Sequence, residues 1–257
     1  METSEKDSPR DNAVKVIHKA FSILKYMASE RRALKITEIA AATGIPKGTV
    51  YRILDSLAAE GMVLPREKEF ELGPTTVFFA AGYRGQAQLA EVARPFLVKL
   101  RNDVLETVHL LILENWELFY LDKMESPYQV RMHSRVGGKG NPLRLSAGRA
   151  ILAILEPTEQ SFLLGAPPSP ELQRECEEIC LTGYAVDNED NEPGLRCVGA
   201  AIVDAEGFPL GAISISAPIY RFTEEKIPLF GKIVAQTAKD ISNAWKDRFQ
   251  QGGSNPS

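Results

Sequence analysis

The sequence predicts an α+β protein of two domains: a winged helix-turn-helix, a linker helix, then an antiparallel sheet with segregated helices. Three observations carry this. Helical and β periodicities occur in separate blocks, with short helices and one hairpin first and β-rich runs joined by turn signals later. Charge is divided as well: Val14 to Arg66 holds nine basic and four acidic residues, whereas the whole chain has a net charge of -4. A basic segment inside an acidic chain suits a polyanionic partner for one domain and repels it from the other. Finally, 257 residues that are 44% apolar and 25% charged supply one large or two ordinary cores.

The first helix is marked by Val16, Ala20, Ile23, Leu24 and Met27 at helical spacing, a core stripe that ends near Ser29. In LKITEIAAATG the Thr37 hydroxyl is placed to cap a short second helix, which Gly44 stops. IPKGTVYRILDSLAAEGMV opens a third helix with Pro46 in its first turn and stops it at Gly61. Val50, Ile53, Leu54 and Leu57 make its inward stripe. The opposite face carries Lys47, Gly48, Thr49, Tyr51, Arg52 and Asp55, basic and hydrogen-bonding at its start. Two helices joined by a Gly-containing turn, the second so faced, form the helix-turn-helix pattern that enters a DNA major groove N-terminus first. PREKEFEL then reads as a hairpin, or wing, with Arg66 and Lys68 at a tip that reaches backbone phosphates and glutamates that oppose them.

Between Gly73 and Leu105 two further helical patterns follow, PTTVFFAAGYR and QAQLAEVARPFLVKLRNDVL, with a kink or a helix start near Pro95. The stripe Val77, Phe78, Phe79, Ala81 is too apolar for a solvated linker and predicts packing on a partner chain or on the first helix. Beyond it, TVHLLILENWELFYLDKM reads as a hairpin turning at Glu114-Asn115-Trp116, and VRMHSRV as a third strand. GLRCVGAAIVDAEG and FPLGAISISAP form another hairpin, turning at Glu206-Gly207. Helices are predicted at AGRAILAILE, PELQRECEEICLTG and from about Thr223 to Phe249, the last with Ile227, Phe230, Ile233, Val234, Thr237, Ile241 and Trp245 on one stripe.

Several classes are excluded. Apolar runs fall far short of the roughly 20 residues of a membrane span, and METSEKDSPRDNAVK has no apolar centre of the kind a signal peptide needs. A cytoplasmic location follows. Cys176, Cys180 and Cys197 are an odd number without a disulfide framework, and the C-x3-C pair has no histidine at metal-ligand spacing. They read as structural thiols. No phosphate-binding loop, H-E-x-x-H or dinucleotide fingerprint occurs, so no cofactor or metal is implied. His109 alternates with apolar residues and His133 ends a strand pattern, positions of core or rim histidines. A thiol-dependent enzyme or redox sensor centred on Cys197 is the alternative to a regulator, and an adaptor that has lost DNA binding is a third reading.

Taken in order, IPKGTVYRILDSLAAEGMV with FELG, GGKGNPLRLSAGRAILAIL, GYAVDNEDNEPGLRCVGAAIVD, and PLGAISISAP with its trailing helix resemble the IclR-type bacterial transcriptional regulators over nearly the whole chain. With the elements above, the chain is expected to divide into a flexible N-terminus at 1–13, a DNA-binding domain at 14–73, a linker helix at 74–88, an effector-binding domain at 89–249, GAF-like as the resemblance implies, and a flexible tail at 250–257. The resemblance also implies a homodimer or tetramer on a pseudo-palindromic operator, responding to a small organic acid. Carried over by position, the effector pocket falls on Ser146, Ala147, Asp187, Cys197, Ser214 and Ser216. The chemistry of these residues agrees. Ser146 and Ala147 offer backbone N–H groups at a helix start. Ser214 and Ser216 project from one strand face and Ile213 and Ile215 from the other. The loop before Ser146 is one residue shorter than in glyoxylate-responsive members and carries Arg144, which favours a carboxylate if it points inward and is an ordinary solvated cation if it points outward.

Overall fold

The computed structural model describes residues 9–82, 84–114 and 117–250. The chain divides into two units between Arg84 and Gly85.

In the first unit, α1 (Pro9–Glu30), α2 (Ile36–Thr43) and α3 (Lys47–Ala59) enclose a core of Ile23, Met27, Ile39, Val50, Ile53 and Leu54. Residues 9–13, read from sequence as part of a flexible tail, belong to α1; residues 1–8 lie outside the described residues. Proline is tolerated in a first helical turn, so Pro9 does not oppose this start. Val16, read as core, is 49% exposed, and burial on α1 begins at Ile23. The wing strands β2 (Val63–Arg66) and β3 (Glu69–Leu72) pair antiparallel. A third strand, β1 (Leu34–Lys35), adds to β3 with Leu34 opposite Phe70, which closes the sheet over the core. Because β1 runs to Lys35, α2 starts at Ile36, and Thr37 lies inside the helix without a capping role. The Glu38 carboxylate caps instead, accepting from the Lys35 N–H at 2.8 Å. α4 (Thr75–Gly82) follows, tied back by the Thr75 hydroxyl, which donates to the Glu60 carbonyl at 2.9 Å.

The second unit is built on a six-stranded antiparallel sheet of order β6-β5-β4-β9-β8-β7. Its strands are β4 (Thr107–Glu114), β5 (Glu117–Met124), β6 (Lys139–Gly140), β7 (Ala185–Asn188), β8 (Leu195–Val203) and β9 (Pro209–Pro218). The β4–β5 hairpin closes between Glu114 and Glu117, and Asn115 and Trp116 lie outside the described residues. Strand alternation gives the sheet two unlike faces. Val108, Leu110, Ile112, Val198, Ala200, Ile213 and Ile215 pack on α5 (Arg84–Val104) and α9 (Ile227–Gln250), and their burial supplies about 1.5–3 kcal/mol per large side chain. α5 runs through Pro95 as one helix, with Pro95 on its exposed side. Residues 251–257 lie outside the described residues.

The other face is covered by α6 (Ser146–Ile154), with α7 (Pro157–Leu164) and α8 (Pro170–Thr182) beyond it. VRMHSRV is not a strand. Gly138 and Gly137 take the edge of β5 instead, exchanging hydrogen bonds with Tyr120 at 3.0 and 2.7 Å. The alternation of VRMHSRV comes from Met132 and Ser134, which point down from a covering loop onto the sheet. Arg221 anchors that loop: its guanidinium forks onto the buried Glu106 carboxylate at 2.6 and 2.8 Å, donates to the Val130 carbonyl at 2.9 Å, and lies 4.6 Å from the Tyr128 ring centroid.

Candidate functional site

Two places combine accessible or unpartnered polar groups with a helix start. At the first, Gly44 (φ 68°) ends α2 in the left-handed conformation, Ile45 is buried, and Pro46 precedes α3 at the cap position. The α3 stripe Val50, Ile53, Leu54 faces the core, which turns Lys47, Gly48, Tyr51 and Arg52 out to solvent and leaves Thr49 half-buried. No side chain caps α3 and its first turn holds no acidic residue, so the positive end of the helix is uncompensated. Thr37 is exposed and shares a surface groove with Gly44 and Lys47. The wing tip is less free than the spacing implies. Arg66 is bound to Glu71 of the facing strand, Nε to Oε1 at 2.7 Å, while Lys68 stays exposed.

The second place is the face of the six-stranded sheet under α6. Cross-strand register aligns two rows on it. One runs Thr107, Ser216, Cys197, Asp187; the other runs Lys123, His109, Ser214, Gly199. All six sequence-predicted effector residues lie on this face or on the helix start above it, and all are buried. Gly199 is what lets the helix down: a Cβ there would stand 2.7 Å from the Ala147 nitrogen and 2.8 Å from the Ser146 carbonyl carbon. No side chain caps α6, and its first turn has no acidic residue. The Ser146 hydroxyl, on a residue only 1% exposed, has no hydrogen-bond partner among the described residues. A buried hydroxyl without a partner is costly to the fold, a cost that a water or a ligand atom placed there relieves.

Asp187 does not point free. Its Oδ1 accepts from the backbone N–H groups of Asp190 and Asn191 at 2.9 and 3.2 Å, and burial raises its pKa. The carboxylate thus shapes the β7–β8 loop. Burial, helped by Asp187, also pushes the Cys197 thiol well above its usual range, so it is held protonated and is a poor nucleophile. Cys176 is likewise raised, to about 11. Among the described residues no three His, Cys, Asp or Glu side chains cluster as metal ligands. Arg144 is exposed, a solvated cation.

Sequence reasoning missed His109, Tyr120, Lys123 and Ser134 as neighbours in this row. His109 is fully buried in the second row, its Nε2 2.8 Å from the Ser134 hydroxyl and its Nδ1 3.5 Å from that of Ser214. Tyr120 meets the imidazole edge-on at a centroid distance of 5.0 Å. Lys123 donates to the Ser134 carbonyl at 3.0 Å and pairs with Glu125 at 3.1 Å. Alternation in TVHLLIL placed His109 opposite the apolar set; only the partner strands reveal what it faces.

The family described as "Bacterial transcriptional regulator IclR C-terminal" matches residues 81–243, and "IclR helix-turn-helix domain" matches residues 16–66. Among similar proteins, the HTH-type transcriptional regulator KdgR of Escherichia coli K12 is 31% identical over 256 residues, covering 94% of this chain and 96% of its own. The crystal structure of the Thermotoga maritima IclR superposes with a TM-score of 0.73 at 30% identity, covering 90% of this chain and 98% of that one. An IclR homolog from Microbacterium hydrocarbonoxydans, complexed with 4-hydroxybenzoate, shares the fold at a TM-score of 0.70 and 21% identity, over 89% of this chain and 98% of that one.

Proposed function

This chain belongs to the IclR family of ligand-responsive, DNA-binding bacterial transcriptional regulators, and from that premise we propose which residues read DNA and which hold the effector. α3 enters the major groove N-terminus first, with Lys47, Gly48, Thr49, Tyr51 and Arg52 against bases and phosphates. Thr37 contacts the backbone beside it, and Arg66 and Lys68 reach the flanking strand from the wing. Two copies meet through the exposed α4 stripe, where Val77, Phe78 and Phe79 are 69%, 75% and 62% exposed, and so present two α3 helices to the halves of a pseudo-palindromic operator. The protein works as a homodimer or tetramer in the cytoplasm.

The effector is a small organic acid. Its carboxylate sits on the first-turn amides of α6 at Ser146 and Ala147, while Ser214, Ser216 and Cys197 line its body and Asp187 holds the adjoining loop. The observation that carries this reading is the α6 start itself: uncapped, seated over Gly199, with the Ser146 hydroxyl buried and unpartnered. The 4-hydroxybenzoate of the Microbacterium homolog is one carboxylate in this fold. The effector shifts transcription through unequal affinity for two conformations, one of which binds the operator better.

The test is a mobility shift of the full chain on the DNA flanking its own gene, at two salt concentrations, with and without a panel of small aliphatic and aromatic carboxylates. Salt-sensitive, sequence-specific binding altered by one acid is the expected result. A complex that no acid alters, while Arg52→Ala still abolishes it, would leave the DNA reading standing and remove the effector assignment.

A further inference from the structure

The residues that line the second row beyond Ser214 carry more than a carboxylate seat requires. We propose that His109 reads the end of the effector opposite its carboxylate, so that this pocket selects monocarboxylates with an apolar body and an uncharged hydroxyl or carbonyl oxygen at the far end. The proposal rests on the reading of the α6 start as the carboxylate seat and adds a second anchor to it.

The register fixes the line. Gly199, with the Ala147 nitrogen directly above it, faces Ser214 on the next strand, and Ser214 faces His109 on the one after. Two strand spacings separate the ends by about 10 Å. Hydrogen bonds of about 2.9 Å at either end, in line with this row or inclined to it, leave a ligand whose terminal oxygens stand on the order of 4–7 Å apart. Leu111, Leu118, Met132, Leu145 and Tyr120 form one buried apolar cluster with Ala147 on this face, and a hydrocarbon or aromatic body suits such a neighbour.

His109 is a fitting reader of a neutral group. Its Nε2 is engaged by Ser134, but Nδ1 stands 3.5 Å from the Ser214 hydroxyl, at the edge of what counts as a hydrogen bond, and is available to a better partner. The imidazole is fully buried and faces the Lys123 side chain across the β4–β5 pair, which together keep it uncharged. The Lys123 ammonium is already held by Glu125 and the Ser134 carbonyl, and Asp187 lies on the same sheet face. A second carboxylate at this end would therefore enter a dry site without a free cation and be rejected.

Calorimetric titration of the full chain with 4-hydroxybenzoate, benzoate and terephthalate tests this. The parent protein binds the hydroxy acid about tenfold more tightly than either comparison ligand, the worth of one well-made hydrogen bond. His109→Leu brings the three affinities to within about threefold of one another by weakening only the hydroxy acid, and His109→Gln, which restores a neutral polar group, recovers most of the preference. If His109→Leu does not fold, His109→Asn, whose amide stops short of the ligand, takes its place in the same comparison. Equal preference in parent and variant, equal affinity for all three acids in the parent, or binding of none of them overturns the proposal. Gly199→Ala, whose Cβ would stand 2.7 Å from the Ala147 nitrogen and so displaces the amides of the α6 start, separates the two layers. A loss common to all three acids supports the carboxylate seat whatever His109 does, and no loss for any of them overturns the seat and the proposal together.

Discussion

α3 and α6 begin alike and differ from α2, α7 and α8. At α2 and α7 a glutamate reaches back to the cap N–H, Glu38 at 2.8 Å and Glu159 at 3.0 Å, and at α8 the Ser169 hydroxyl accepts from Leu172 at 3.3 Å. Each of those three also has an acidic residue in its first turn, whereas α3 and α6 have neither cap nor acid. Free amides at a helix start cost stability unless something satisfies them. The two that are left free face different media. The α3 start is solvent-exposed and flanked by Lys47, which suits a polyanion approaching from outside. The α6 start is buried on Gly199 beside an orphan hydroxyl, which suits a small anion that enters and is enclosed. One local device serves an operator and an effector according to what surrounds it.

The comparison breaks most sharply at Lys47. Lys47→Glu places a carboxylate at the α3 start, which favours the free helix through its dipole while repelling phosphate. Operator affinity should fall about 100-fold, as one lost cationic contact and one new repulsion would give, with an unchanged or slightly raised melting temperature and undiminished effector binding. A melting temperature that falls along with DNA affinity would mean that Lys47 serves the fold. Next in size is Gly199→Ala. Its Cβ would meet backbone at 2.7 Å, so α6 must lift, at about 1–3 kcal/mol of stability. Effector binding should disappear in calorimetry while the operator complex persists without its ligand response. Retained effector affinity would show that the α6 start is not the seat.

These two positions also show what was legible in the sequence. The α3 face could be read directly, because a surface helix displays its function on the side opposite a 3.6-residue apolar stripe, and Val50, Ile53 and Leu54 fixed that stripe. Ser214 and Ser216 were legible for the same reason at period 2. Thr37 as a cap was misread because β1 is only two residues long and pairs with Phe70 and Glu69, far along the chain. VRMHSRV was misread because a loop lying flat on a sheet alternates as a strand does. Gly199 and His109 carried no local signal of their role: the first matters for a helix that begins some 50 residues earlier in the chain, the second for a row assembled from β4, β5, β8 and β9. Tertiary register, and not propensity, decides such positions.

Burial of His109 sharpens the contrast between a wet and a dry site. Its pKa is pushed down to about 3 by desolvation, with a smaller contribution from Lys123. Between that value and the ordinary 6.5 the unfolded chain binds a proton that the folded chain refuses, so stability is full above about pH 6.5 and falls on acidification. The expected slope is about 1 kcal/mol per pH unit. Asp187, raised by its own burial, slopes the other way, but it does so in the parent and in His109→Gln alike, so the difference between their denaturant titrations over roughly pH 5 to 7 isolates the imidazole. Equal slopes in the two proteins would place the ring in contact with water.

The smallest effect is expected at the wing. Arg66 and Lys68 both sit at the tip of a hairpin, and charge alone would give them equal parts in holding the operator. Geometry separates them. Arg66 is locked to Glu71 across the β2–β3 pair, so it must give up an ion pair to take a phosphate, while Lys68 is exposed. Exposed ion pairs are weak, and the exchange is nearly neutral. Arg66→Ala should therefore change operator affinity by less than about threefold, and Lys68→Ala by somewhat more, with a shallower salt dependence, since one condensed counterion fewer is released. Glu71→Ala provides the opposite arm. Freeing Arg66 should tighten DNA binding and steepen its salt dependence, and a mobility shift in which Glu71→Ala binds no better than the parent would mean that the wing tip stands clear of the duplex.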